Sequence, residues 1–307
     1  MEIPVKLTAE QIDQFQAHGV VIVPDILTDA DLAPVIAAIE SWIDDRANAW
    51  LSEGRITDAH AGEGFGTRIA SLYAQDEEFP RGMDLMEMRD PDILSFMYND
   101  NLLDAVECLV GPEITCNPIQ HLRAKMPVRL TGEVISYEQN VPWHQDVSVT
   151  WEEADHSNIV TCWLPLVDVT VENGCMHVLP DVFRSGYLEH IVDDGTRIRP
   201  DLMPDIEPLV AVCPKGSIVF MDKCTPHAGI TNRTDFVRWS MDLRYQPTGV
   251  PTGRPFHPDF VVRSAADPDS VYYEFDEWNR RWVEALEASA GYQAHRSIPI
   301  EERSPKS

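Results

Sequence analysis

The sequence predicts a mainly β protein with flanking helices, arranged as a double-sheet jelly roll. Three observations lead to this fold class. The first third of the 307 residues has helical spacing, short apolar or alternating stretches follow from residue 114, and Pro, Gly, Asn or Asp bounds each stretch. A series of short strands after a helical lead-in is typical of closed antiparallel β structure.

Helix signals dominate residues 1–112. Thr8 stands three residues ahead of Gln11, which is the spacing of a capping box, and the helix that it opens is expected to end near Gly19. A second helix is predicted from Thr28, because apolar residues follow at helical spacing, namely Leu32, Val35, Ile36 and Ile39. The other predicted elements of this region are a strand over 20–24, a polar loop over 54–66 and a helix over 91–110.

The β core is predicted over residues 113–249. After it, residues 250–307 combine a Pro-rich irregular segment with a C-terminal helix over 271–290, so we expect one domain that spans residues 1–307. The predicted strands of the core are 114–126, 134–137, 146–150, 159–167, 175–179, 209–213, 217–221 and 236–246.

Composition and charge limit the partners. Lys and Arg number 24 against 51 Asp and Glu, so the formal net charge is −27. Such a chain repels phosphate backbones and anionic lipids, so we expect no nucleic-acid or membrane partner but a small-molecule substrate, neutral or cationic rather than a coenzyme A ester. With no apolar run of about 18 residues and no signal pattern at residues 1–8, the sequence predicts a cytoplasmic protein with reduced cysteines. The oligomeric state stays open.

Four residues form the strongest candidate site. His144 and Asp146 lie in Trp-His-Gln-Asp, and alternate side chains of an extended segment point to the same side. His227 follows an apolar strand, and two histidines with one carboxylate can hold one face of a ferrous ion. Arg238 opens a further strand eleven residues later. If this strand returns antiparallel to the one that bears His227, its guanidinium can bind a carboxylate ligand of the metal.

A second His-x-Asp sequence offers an alternative. His257 and Asp259 are separated by a proline, and His295 lies downstream. These residues lie in the Pro-rich segment outside the predicted strands, so we take them to be unrelated to the metal site.

Several motifs occur in order along the chain. They are 7–24, 106–112, 125–127, 143–146, 163–166, 173–180, 226–229 and 232–238. With these motifs the chain resembles the phytanoyl-CoA dioxygenase family of iron(II)/2-oxoglutarate-dependent oxygenases, and the similarity covers most of the sequence. The resemblance implies a double-stranded β-helix of the cupin type.

The resemblance also implies roles for particular residues. His144, Asp146 and His227 would bind Fe(II), and Arg238 would bind the distal carboxylate of 2-oxoglutarate. O2 would be the second co-substrate, and the products would be succinate, CO2 and a hydroxylated small molecule. Halogenases of this superfamily lack the ligand carboxylate, so Asp146 favours hydroxylation, with desaturation or ring closure left open.

Other residues of the pocket follow with less support from the motifs. Trp163 and His121 fall where family members line the 2-oxoglutarate pocket. Residues that flank the His-x-Asp motif are candidates for contact with the substrate, and a structural role is an equal alternative for each of them. These substrate candidates are Tyr137, Gln139, Trp143, Gln145, Val147 and Trp151.

Two departures from the family pattern stand out. Many members have Ser two residues after the second iron histidine, where its hydroxyl helps to hold the co-substrate, but this chain has Gly229. Thr231 or a backbone amide would have to replace that hydroxyl. Residues 180–183 also differ from the Pro-Gly-Ser-His that many members have. The main rival interpretation is a non-catalytic or differently metallated cupin-like binding protein, which usually adds a third histidine or a glutamate.

Overall fold

A computed structural model describes residues 6–133, 139–193, 195–290, 295–298 and 303. The α-helices are α1 Ala9–His18, α2 Asp29–Ser52, α3 Arg68–Tyr73, α4 Leu85–Met88, α5 Pro91–Phe96, α6 Asp100–Val110, α7 Val128–Thr131 and α8 Phe275–Ala288. The strands are β1 Val20–Val23, β2 Glu113–Cys116, β3 His121–Lys125, β4 Val160–Pro165, β5 Met176–Val178, β6 His190–Asp193, β7 Gly195–Ile198, β8 Leu209–Ala211, β9 Ile218–Asp222, β10 His227–Gly229, β11 Arg238–Pro247 and β12 Phe260–Ser264. The predicted class, a mainly antiparallel β core with flanking helices, is confirmed.

The first two helices begin as the sequence predicts. Thr8 and Thr28 each cap a helix with a complete capping box, in which the threonine hydroxyl accepts from the backbone N–H three residues on. Gly19 ends α1 at φ 71°, where glycine is favoured because it has no Cβ. The helix predicted over 91–110 is instead two helices, because Asn99 caps the N-terminus of α6 and accepts from the N–H of Leu102.

The described strands form two main sheets. The larger is a seven-stranded sheet with the order β1-β9-β4-β11-β2-β12, in which β3 also pairs with β11. The smaller sheet has the order β10-β5-β8, and β6 and β7 form a separate hairpin. All the pairs are antiparallel. β11 is hydrogen-bonded on both sides over most of its length, to β4 on one side and to β3 and β2 on the other.

The alternation along β11 gives the strand a polar face towards the smaller sheet and an apolar face towards the helices. Trp239, Met241 and Leu243 belong to the large apolar core that joins the sheet to the helices. The residues between them point to the other face, towards the smaller sheet, because successive side chains of a strand alternate. Arg238 and Arg244 are therefore held inside the protein, and both are buried. The site is built on this inner face.

Several predicted elements differ from the observed ones. The segment 114–126 forms two strands rather than one, and 134–137 lies outside the described residues. The strand predicted over 146–150 is wrong, because Asp146–Val149 forms a 3-10 helix. The hairpin β6–β7 and the strand β12 were not predicted from the sequence. In the described part of the chain no helix combines the length and the apolar character that a membrane span requires.

Candidate metal centre and co-substrate pocket

Two histidines face each other across a short antiparallel bridge. His227 opens β10, and His144 lies opposite it, with N–H to carbonyl bonds of 3.0 and 2.9 Å in the two directions. Side chains of directly paired residues project from the same face. The two imidazole centroids are accordingly 4.2 Å apart.

Asp146 completes the group from a different local conformation. It is the first residue of the 3-10 helix that follows the bridge, and its Oδ1 lies 4.0 Å from Nε2 of His144 and 3.9 Å from Nε2 of His227. The expectation that the His-x-Asp segment is extended throughout is therefore wrong. The chain turns after Gln145, and this turn brings the carboxylate back to the histidines. One potential ligand atom from each of the three residues lies within 4.8 Å of the others.

The hydrogen bonds of the two imidazoles fix which nitrogen faces the site. Nδ1 of His144 is 2.9 Å from the carbonyl of Pro142, and Nδ1 of His227 is 3.0 Å from the carbonyl of Thr225. A carbonyl only accepts, so each Nδ1 carries the proton and each Nε2 presents its lone pair. Burial, followed by the neighbouring His227, lowers the pKa of His144 to about 3, which keeps this imidazole neutral and able to bind a metal.

Asp146 is held ionised by a buried arginine. Nη2 of Arg244 donates to Oδ1 at 2.6 Å, Nε donates to Oδ2 at 3.3 Å, and the hydroxyl of Thr161 also donates to Oδ2. Burial alone would raise the pKa of this carboxyl, but Arg244 and the two histidines outweigh it and hold the pKa far below its usual range. The site therefore offers two imidazoles and one carboxylate, a donor set that suits ferrous iron.

A buried cation, Arg238, lies beside this group. Arg238 stacks over the ring of Trp163, with its guanidinium carbon 5.2 Å from the ring centroid, and its Nη1 donates to the hydroxyl of Ser240. Its Nε is buried and has no hydrogen-bond partner, and no ion pair of Arg238 occurs among the described residues. Burial lowers the pKa of Arg238 to about 10, so the group remains charged at neutral pH. A carboxylate such as the distal one of 2-oxoglutarate would satisfy it.

One pocket joins the metal ligands to this cation. Arg238, Trp163 and Gln139 line it together with the triad. The complete lining is Arg123, Lys125, Gln139, Val141, His144, Asp146, Trp163, Met176, His227, Gly229, Arg238, Asp242 and Arg244. Arg238 reaches the pocket by a route other than the predicted one, because β11 pairs with β3 and β4 whereas the strand of His227 pairs with β5.

The remaining predicted residues that the structure describes are not part of this pocket lining. His121 contacts Asp84, with Nδ1 2.8 Å from its Oδ2, at the far end of β3. The side chain of Gln145 is buried and bonds the backbone of Gly186, Leu188 and Cys224, so it braces the loops.

The flanking aromatic candidates have other surroundings. Trp151 packs edge-on against Phe256. The carbonyl of Trp143 accepts from the N–H of Ile198, and Val147 is buried. Tyr137 lies outside the described residues.

The second His-x-Asp sequence lies elsewhere. Nε2 of His257 is 3.2 Å from the hydroxyl of Ser289, and the His257 ring packs against Trp282 on the C-terminal helix. Within the described part of the chain, His144, Asp146 and His227 form the one group of three such side chains close enough to hold a metal ion.

Sequence reasoning missed several polar residues of the site, among them Arg123 and Asp242 of the pocket lining. Arg244 and Thr161 hold Asp146, and Lys125 lines the pocket beside Arg238. The signal for Arg244 was present in the alternation of polar and apolar residues after Arg238. Lys125 carries a similar signal, because polar residues alternate with apolar ones along β3 and Lys125 is the third polar residue, after His121 and Arg123.

Paired antiparallel sheets that enclose two histidines, a carboxylate and a buried arginine define a class of protein, the non-haem iron oxygenases of double-stranded β-helix fold. The family profile described as Phytanoyl-CoA dioxygenase (PhyH) matches residues 15–240, and the chain belongs to this family. It is thus an oxygenase that uses iron and 2-oxoglutarate.

Solved structures share the fold at low sequence identity. A non-heme monooxygenase, ThoJ, is 17% identical with a TM-score of 0.59, over 90% of this chain and 97% of that one. The alpha-ketoglutarate-dependent carbocyclase SnoK from nogalamycin biosynthesis is 18% identical with a TM-score of 0.50, over 88% and 95%. AviO1 from Streptomyces viridochromogenes Tue57 is 16% identical with a TM-score of 0.50, over 79% and 96%. No curated protein matches the sequence.

Proposed function

We propose that this oxygenase hydroxylates an unactivated C–H bond of a small-molecule metabolite, with 2-oxoglutarate converted to succinate and CO2. The observation that carries the proposal is one pocket in which a three-ligand metal group faces a buried arginine that forms no ion pair with any described residue. A metal with three protein ligands on one face keeps its other positions for a chelating keto acid and for O2.

The chain's own residues have separable tasks in this reaction. His144, Asp146 and His227 hold the iron, which when bound supplies the centre for the oxidative decarboxylation and for attack on the C–H bond. Arg238 orients the keto acid by its distal carboxylate, and Trp163 holds Arg238 in place by stacking. Arg244 keeps Asp146 ionised and oriented.

The substrate has room in a neighbouring cavity of about 620 Å³, which shares Arg123 and Gln139 with the metal pocket. This volume falls in the range typical of small-molecule sites. Carboxylates of Glu77, Glu78 and Asp84 outnumber the guanidinium groups of Arg81 and Arg123 in its lining, so the lining has no excess of positive charge to attract the phosphates of a coenzyme A ester. We therefore favour a neutral or cationic metabolite.

Anaerobic spectroscopy tests the iron and co-substrate sites. Fe(II) and 2-oxoglutarate added together to the purified protein are expected to give the weak visible charge-transfer band of the chelate. His144→Ala should abolish both the band and succinate formation, whereas His257→Ala, a matched change in the other His-x-Asp sequence, should retain them. A wild-type protein without the band, or a His144→Ala variant with substantial turnover, would contradict the proposal.

Mass analysis of the product tests the reaction type. A gain of one oxygen atom supports hydroxylation, and a loss of two hydrogens would indicate desaturation or ring closure. The distinction must be measured, because the proteins of similar fold include a monooxygenase and a carbocyclase.

The cupin-like alternative would need a different metal environment. Such proteins usually add a third histidine or a glutamate, and the described residues place neither type of side chain in the cluster. A binding protein would also have no use for an unpaired buried arginine next to its metal, since burial of a charge without a partner costs stability.

A further inference from the structure

The pocket contains a buried lysine next to Arg238. Lys125 ends β3, it is only 1% exposed, and it is the direct cross-strand partner of Arg238 on β11. Like charges directly opposite each other on one face of a sheet are destabilising. The fold nevertheless places these two basic side chains side by side.

Two glycines make room for this lysine. A Cβ at Gly174, which has φ +87°, would lie 2.6 Å from Cε of Lys125, and a Cβ at Gly229 would lie 3.2 Å from its Nζ. Any other residue at 174 would collide with the aliphatic chain, and a larger one at 229 would crowd the ammonium group. The ammonium group therefore occupies the space beside position 229, where many family members carry a serine.

Nζ of Lys125 has a carbonyl partner but no carboxylate partner among the described residues. Nζ donates to the carbonyl of Gln139, and no ion pair of Lys125 occurs among the described residues. Burial, followed by the charge of Arg238, lowers the pKa of Lys125 to about 6, while the Cys175 thiol acts in the opposite direction. Lys125 and Arg238 are adjacent buried basic groups, and neither forms an ion pair among the described residues. This arrangement indicates that an anion binds between them, with Lys125 protonated when the anion is present.

We propose that Lys125 is a second cationic contact for the distal carboxylate of 2-oxoglutarate and replaces the serine that Gly229 lacks. This inference rests on the proposed function, since it needs 2-oxoglutarate to be the ligand. Thr231, the alternative donor expected from the sequence, does not line the pocket. Arg238 supplies a planar fork and Lys125 a point charge, so together they can contact both oxygens of one carboxylate.

Calorimetric titration of the Mn(II)-loaded protein tests this contact without turnover. Lys125→Met keeps the length of the side chain and removes its charge, and we expect it to weaken 2-oxoglutarate binding about 10- to 100-fold, as for a charged hydrogen bond. Binding of 2-oxobutyrate, which lacks the distal carboxylate, should change little. Lys215→Met, at an exposed lysine paired with Asp29, should alter neither affinity.

A rescue variant separates a lost contact from a damaged fold. Adding Gly229→Ser to Lys125→Met should recover much of the 2-oxoglutarate affinity, because the serine hydroxyl can enter the space that the ammonium group vacates. Equal 2-oxoglutarate affinity in wild type and Lys125→Met, or equal weakening for both keto acids, would overturn the proposal.

Proton uptake by the wild type gives a second measurement if Lys125→Met does not fold. An arriving carboxylate raises the pKa of Lys125, which otherwise faces Arg238, the Cys175 thiol and the Gln139 carbonyl. At pH 7, binding of 2-oxoglutarate should therefore make the protein take up close to one proton more than binding of 2-oxobutyrate does. The uptake is measured by calorimetry in buffers of different ionisation enthalpy. Equal uptake by the two acids would refute the contact. A wild type that binds neither acid would overturn the proposed function as well, whereas tight 2-oxoglutarate binding unaffected by Lys125→Met would refute only this inference.

Discussion

Removal of Arg244 should destabilise the metal-free protein strongly. Its side chain and that of Asp146 are 6% and 5% exposed, and two N–H donors reach the carboxylate at 2.6 and 3.3 Å. The two residues therefore form a buried ion pair. Loss of one partner from such a pair leaves an uncompensated charge and costs about 3–5 kcal/mol. We expect Arg244→Met to lower the free energy of unfolding by this amount.

Denaturant titration of the metal-free variants measures this cost. The exposed pair of Arg280 with Glu277 on α8 provides the matched control, because solvent screens this pair and Arg280→Met should leave the free energy of unfolding almost unchanged. Adding Asp146→Asn to Arg244→Met removes the stranded charge, so the double variant should be more stable than Arg244→Met alone. A loss below about 1 kcal/mol in Arg244→Met, or strictly additive losses in the double variant, would refute the buried-pair reasoning.

Three further outcomes are expected. Because the pKa of His144 is lowered to about 3, the unfolded chain binds more protons than the folded one between about pH 3 and 6.5, so the metal-free protein should lose stability as pH falls through this window. His144→Gln should flatten that slope in denaturant titrations at pH 5 and 7, and an unchanged slope would assign it to other groups. Gly174→Ala should lower both the melting temperature and the affinity for 2-oxoglutarate, since its Cβ meets the Lys125 side chain; an unaltered affinity would contradict this. Thr28→Ala should cost about 1 kcal/mol of folding stability through loss of the α2 capping box, and an unchanged denaturation midpoint would argue against it.

The residues of the candidate metal group could be predicted from the sequence because each lies in a short local motif. His144 and Asp146 are two residues apart, and His227 and Arg238 follow at the ends of apolar stretches. The conformation that joins them could not be predicted in the same way. The turn into a 3-10 helix at Asp146 depends on the Thr161 and Arg244 partners, which come from β4 and β11.

Local sequence patterns also could not predict which strands pair with each other. Alternation along β11 indicates which residues point inward, but it does not indicate which strands lie beside it. Only the observed register places Lys125 opposite Arg238. Likewise, the sequence shows at Gly229 only the absence of a serine hydroxyl. In the fold, this glycine makes room for the side chain of Lys125, which is more than a hundred positions away in the sequence.

The central position of β11 has a consequence for the choice of keto acid. This one strand carries Arg238, which we propose binds the far end of the co-substrate, and Arg244, which holds Asp146 of the metal group. Neighbouring strands bond β11 on both sides, so the separation of the two ends is set by backbone geometry and cannot adjust. A keto diacid one methylene shorter or longer would then reach only one end, and the protein should discriminate between co-substrates by chain length.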